Sequence, residues 1–166
     1  MTLLDAPQYN AARERRKRII IISTSSTLVT LFVVWWLICG HPVAWPWNWD
    51  AYLFGKSTVN HFFTSVEQND LNKAYGIWFH DPNWQQHPGE HSNYTFKRFQ
   101  DDWGPNSPDN DYGPIKSHRI AAERMSGNVL IVGIYVNGRK SNPIFLAYDP
   151  KNHTLIFSPV QLYLGP

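Results

Sequence analysis

From Ile19 to Cys39 the chain carries no charged side chain. A helix of about 22 residues over Ile19–Gly40 rises about 33 Å, which matches the roughly 30 Å of hydrocarbon in a bilayer, so the run predicts one transmembrane helix. Arg13, Arg15, Arg16, Lys17 and Arg18 lie directly before it, and no comparable basic block lies directly after it. This bias predicts a cytoplasmic N-terminus over 1–18 and a domain on the far side of the membrane. The formal net charge is +2, and the basic block carries much of the positive excess, so charge speaks to orientation rather than to nucleic acid.

A cleaved signal peptide is the rival reading. The run is longer than a signal core, however, and Trp36-Leu37-Ile38 offers no small-residue cleavage motif, so a permanent anchor is expected. Cys39 is the one cysteine; Ile38 before it is too large for a lipoprotein site, and an intrachain disulfide is impossible. Five of the eight tryptophans fall between Trp35 and Trp49. Trp45, Trp47 and Trp49, interleaved with Pro46 and Asn48, predict an interfacial anchor within a Trp/Pro-rich linker over 41–56. Within the span, Ser23, Thr27 and Thr30 recur at helical spacing. That stripe suits close packing against another membrane helix, and equally suits hydroxyls bonded to their own preceding carbonyls.

The remaining residues, 57–166, suffice for one compact domain. Val59, Phe62, Phe63 and Val66 fall on one helical face, with Ser57 as the N-cap and an end near Gln68. Asp70 caps a second helix carrying Leu71, Ala74, Tyr75 and Trp78. After a polar stretch from His80 to Ser92, Tyr94, Phe96, Phe99 and Trp103 predict a third helix ended by Gly104–Pro105. Strands follow at Ile115–Met125, Val129–Val136, Pro143–Asp149 and His153–Ser158, separated by turn chemistry that includes Asn137–Gly138. The expected fold class is α+β, three helices packed on an antiparallel four-stranded meander. Val129–Val136 is apolar on both faces, so both should be covered. Leu130, Val132, Ile134 and Val136 are the candidate partner-facing residues of the sheet.

The stretch Val59-Asn60-His61-Phe62-Phe63 through Asn69-Asp70-Leu71-Asn72-Lys73-Ala74-Tyr75, with the strands after it, resembles the nuclear-transport-factor-2-like superfamily over roughly 57–159. That resemblance implies a cone-shaped domain in which a strongly bent sheet wraps the first helix. Membrane-tethered members share the layout of cytoplasmic tail, one helix and exported cone. They include inner-membrane scaffolds of type IV secretion machines and small proteins of lipid-transport operons, which act through protein contacts.

Catalytic sets are sparse. His80, Asp81, His87, Glu90 and His91 crowd one segment, but Pro88–Gly89 forbids the helical i, i+4 geometry by which paired histidines converge, so solvated loop residues are expected and no metal. Enzymes of the resembled superfamily use carboxylate, His or Tyr groups inside the cone, which makes Asp101, Asp102, Tyr75, Tyr94 and His118 the candidates. Adjacent Asp101 and Asp102 point about 100° apart on a helix and cannot share a pocket. No phosphate loop, nucleophile elbow or haem motif occurs, and no cofactor is expected. Lys116, Arg119, Arg124, Arg139 and Lys140 form no stripe for nucleic acid.

These observations predict a non-catalytic accessory or assembly subunit of an inner-membrane complex, with its C-terminal domain in the periplasm. Its partners would be the lipid bilayer and other membrane-protein subunits or its own copies. The alternative is a periplasm-facing small-ligand-binding or enzymatic cone, which an interior filled by Phe62, Tyr75, Trp78 and Phe99 would argue against.

Overall fold

The computed structural model describes residues 10–39, 48–87 and 89–164. The chain divides into two compact units, Met1–Pro42 and Val43–Pro166.

The first unit holds helix α1 (Ala11–Cys39), which is long and apolar enough to span a membrane. It starts eight residues before the apolar run. The reason is local: Arg and Lys are good helix formers, and the side chain of Asn10 accepts the Arg13 amide at 3.0 Å as a cap. The five basic residues are therefore helical as well as exposed, and Lys17 pairs with Glu14 at 3.1 Å. The apolar stretch of α1 has no buried face. Its length and composition are those of a membrane-spanning helix.

The second unit contains α2 (Trp49–Glu67), α3 (Leu71–Phe79), a short 3₁₀ turn at Trp84–Gln86, α4 (Phe96–Trp103) and strands β1 (His118–Ser126), β2 (Val129–Val136), β3 (Arg139–Asp149) and β4 (Thr154–Phe157). The strands form one open antiparallel sheet in the order β1-β2-β3-β4. The α+β class and the four-strand meander agree with the sequence expectation.

The start of α2 does not. It begins at Trp49, two turns before Ser57, and takes in residues assigned to the linker. Within this extension Gly55 is a point of close approach: a Cβ would sit 2.6 Å from Leu130 Cδ2 and 3.0 Å from Tyr148 Cδ1. The missing side chain lets α2 lie against β2 and β3. Trp49 is 3 % exposed, so it is a core residue of α2 rather than a ring presented to headgroups, which corrects its assignment as an anchor. Trp45 and Trp47 lie outside the described residues.

α3 begins after its Asp70 cap as expected, while α4 begins at Phe96, leaving Tyr94 before the helix. Asp70 accepts the Lys73 amide at 3.0 Å and Thr95 accepts the Arg98 amide at 3.3 Å. Phe62 is the hub between helices, with ring centroids 5.2 Å from Phe63, 5.4 Å from Trp78, 6.1 Å from Phe99 and 4.9 Å from Trp103. Such mostly edge-on contacts add to the area buried. The loop before the sheet is organised by buried Asn110, whose amide donates to the Gly104 and Gly113 carbonyls and whose oxygen accepts the Tyr112 amide.

The two faces of the sheet are now distinct. Leu130, Val132, Ile134 and Val136 are fully buried in the core shared with the helices. They are unavailable to a partner, which corrects their assignment. Period-two alternation places Ile131, Gly133 and Tyr135 on the opposite face, where Ile131 and its neighbour Ala147 are also buried. Part of the cover there is the chain's own tail: a Cβ on Gly133 would lie 2.9 Å from Leu164 Cδ2. A bulge between Ile120 and Ala122 shifts β1 by one residue, so Glu123 pairs with Val132 on the helix side and reaches Lys56 of α2 at 2.7 Å. The Asn137–Gly138 turn has positive φ at both residues and joins β2 to β3 in a two-residue loop, so β3 begins at Arg139 rather than at Pro143.

Candidate functional site

The residues singled out on the span are exposed on α1, and the Thr hydroxyls are satisfied within it. Thr27 donates to the Ser23 carbonyl at 3.0 Å and Thr30 to the Ser26 carbonyl at 2.9 Å. Their side chains still leave a low profile for an approaching helix, but neither threonine hydroxyl needs one.

Of the interior candidates, Tyr75, Tyr94, Asp102 and His118 are engaged in structure. Tyr75 is buried and donates to the Tyr94 carbonyl at 2.7 Å, joining α3 to the segment before α4. Burial pushes its phenol above the ordinary range. Tyr94 donates to Asp102 at 2.7 Å, and the other oxygen of Asp102 meets Arg98 at 2.9 Å, which also pairs with Asp109 at 3.2 Å. Burial first, then the hydrogen bond and charge of Asp102, hold the Tyr94 phenol far above its ordinary range. It stays protonated as a donor and is no general base. Asp101 and Asp102 do not converge on one pocket; Asp102 alone turns to Tyr94.

His118 sits on β1 with its ring stacked on Phe63 at 5.3 Å. One ring nitrogen meets Glu67 at 2.6 Å and the other meets Asn60 at 3.1 Å, both from α2. Those two partners lie more than fifty residues away in sequence, so spacing could not reveal them. A second imidazole, His153, meets the Tyr148 hydroxyl at 2.6 Å in the β3–β4 turn.

The polar stretch after α3 is where the structure and the sequence expectation part. Asp81, His87 and Glu90 place one donor atom each within 4.8 Å of one another, a convergence that occurs without a helix. Four successive turns wind the chain there: the Asp81, Trp84, His87 and His91 carbonyls accept amides three residues on, at 3.3, 3.0, 3.1 and 3.1 Å. The Asn83 amide occupies one oxygen of Asp81 at 2.9 Å, leaving the other to His87 at 3.2 Å and His91 at 3.3 Å. Partial desolvation pushes the Asp81 carboxyl up, but its bonds with His87, His91 and Asn83 outweigh that and hold it below the ordinary carboxylate range. His91 is stacked on Phe79 at 4.1 Å, and Trp84 is pinned by its indole donating to the Asn72 carbonyl at 3.1 Å. The same corner borders a groove of about 660 Å³ between α2 and α3, reached by Asn72, Trp84 and Gln85.

The basic residues of the sheet region are dispersed: Arg119 lies over the Tyr135 ring at 5.4 Å and Arg139 donates to the Asp111 carbonyl at 3.4 Å. Comparison of the chain with protein-family models, with curated proteins and with solved structures finds no match.

Proposed function

We propose that this chain is a non-catalytic accessory or assembly subunit of a larger inner-membrane protein complex. In this reading α1 anchors it with the N-terminus in the cytoplasm, and the second unit is a membrane-tethered cone of the nuclear-transport-factor-2-like kind facing the periplasm. The observation that carries the proposal is the state of the interior. A hollow of about 500 Å³ is bordered by α4, the loop after it and strands β3 and β4, while Phe62, Tyr75, Trp78 and Phe99 are all at most 3 % exposed and pack ring on ring, filling the centre among the helices. An enzymatic or ligand-binding cone needs that space. Tyr75, Tyr94, Asp102 and His118, which such chemistry would use, are held in structural bonds.

Two features supply contact surface. The apolar length of α1 is exposed among the described residues of its unit, and β4 ends the sheet with Ile156 and Phe157 about half exposed. Purification of the intact chain from native membranes in a mild detergent, followed by native mass spectrometry, should give a stoichiometric partner or a homo-oligomer. A folded monomer as the sole species would overturn the proposal. A reporter active only outside the cytoplasm, fused after Pro166, should be active; a silent reporter would reverse the orientation.

A further inference from the structure

We infer that Asp81, His87 and Glu90 form a divalent metal site of zinc class on the second unit, with His91 as its positioning residue. The inference is independent of the assembly role.

Zinc holds nitrogen and oxygen ligands at about 2.0–2.2 Å in tetrahedral geometry, which sets neighbouring donors about 3.3 Å apart. The His87 Nδ1 to Asp81 Oδ2 separation of 3.2 Å already has that value, and Glu90 offers its carboxylate in the same 4.8 Å cluster. His87 and Glu90 are exposed and Asp81 is partly so, which leaves their side chains free to close round one ion. One imidazole and two carboxylates suit a borderline ion such as Zn²⁺ better than a soft one, which prefers thiolate, and the two carboxylates offset its charge. The fourth position is left to water.

The support around the ligands makes this more than an exposed acidic group. The Asn83 amide fixes one oxygen of Asp81, so the free oxygen points at His87. His91, its ring clamped on Phe79 and its Nε2 3.3 Å from that same free oxygen, restrains the carboxylate from the other side. Metal ligands are oriented by such outer partners, whose loss costs about 10–100-fold in affinity. The Trp84, His87 and Glu90 amides donate in turn to the Asp81, Trp84 and His87 carbonyls, so the three ligands are linked by backbone as well as by side chains.

The test is calorimetric titration of zinc chloride into the full chain, in detergent, without a histidine tag and after chelator treatment. One ion per chain is expected, with a rise in unfolding temperature. His87→Ala and Asp81→Asn should each weaken binding by at least about 10-fold, and His91→Gln should weaken it about 10–100-fold with the stoichiometry intact. Cobalt(II) substituted for zinc should give the intense visible bands of a four-coordinate site. His87 is about half exposed, and its variant should match the parent in circular dichroism and metal-free unfolding temperature. Absence of saturable binding, or binding unchanged in the His87→Ala/Asp81→Asn double variant, would overturn the inference. The latter result would move the ion to another histidine, such as His153.

Discussion

His118 and His87 each meet a carboxylate, at 2.6 Å and 3.2 Å, yet what surrounds the two pairs differs. The His118 ring lies flat on Phe63, both nitrogens are engaged, and Glu67 and Asn60 reach it from a helix packed against the strand that carries it. This cluster ties α2 to β1 and offers no free donor. The His87 cluster sits on consecutive turns of one loop, with donors facing each other and solvent. Chemistry of the same residue types is thus closed by tertiary packing in one place and left open by local turns in the other. Residue type alone does not distinguish a strut from a site; the origin of the partners does.

The contrast can be broken or sharpened by four measurements. The largest effect is expected at high pH, where the closed region should fail as a whole. Tyr75, Tyr94, Tyr112 and Tyr148 have phenols raised above the ordinary value, in each case chiefly by burial. In the unfolded chain tyrosine ionises near pH 10, so the stability these groups contribute is complete below about pH 10 and is lost as pH climbs toward their folded values. Absorbance near 295 nm should show a late, cooperative ionisation step coincident with loss of circular dichroism. A smooth titration in the folded protein would dissolve the distinction between closed and open regions.

Next comes His118→Ala, which strands Glu67 and Asn60 and removes a ring stacked on Phe63. A loss of about 2–3 kcal/mol in denaturant unfolding is expected from a charge-assisted bond and its abandoned partner. A loss under about 0.5 kcal/mol, the range of ordinary surface changes, would make this pair no strut at all. Glu67→Gln keeps an acceptor at the same place and should cost less, about 1–2 kcal/mol. If it cost as much as His118→Ala, charge rather than geometry would be what the cluster supplies. The smallest effect belongs to the open loop: His87→Ala should change metal-free stability by no more than about 0.5 kcal/mol. A larger loss would mean that the loop depends on this ring as the core depends on His118.

How much of this was legible beforehand follows the range of the interaction. The helix caps Asp70 and Thr95, the span of β2 and the turn at Asn137–Gly138 rest on neighbours within four residues, and sequence periodicity or turn chemistry points to each element. The early start of α2 was hidden because Ser57 offered a local cap, whereas the close approach of Gly55 to Leu130 and Tyr148 depends on strands some seventy-five or more residues on. The outward assignment of Leu130, Val132, Ile134 and Val136 failed for a related reason. A strand apolar on both faces carries no mark of which face meets the helices. The metal-type cluster was discounted because Pro88–Gly89 excludes a helix, although a run of turns brings Asp81, His87 and Glu90 together instead.

By itself the sequence determined one charge-free span long enough for a bilayer, the α+β class and the order of its elements, because those depend on length, periodicity and local capping. Tertiary structure alone decided which face of the sheet is core, that Trp49 is buried, that Leu164 lies over Gly133, and that His118 is closed while His87 is open. Each of those depends on atoms distant in the chain arriving at one place, and no local pattern encodes which atoms those will be.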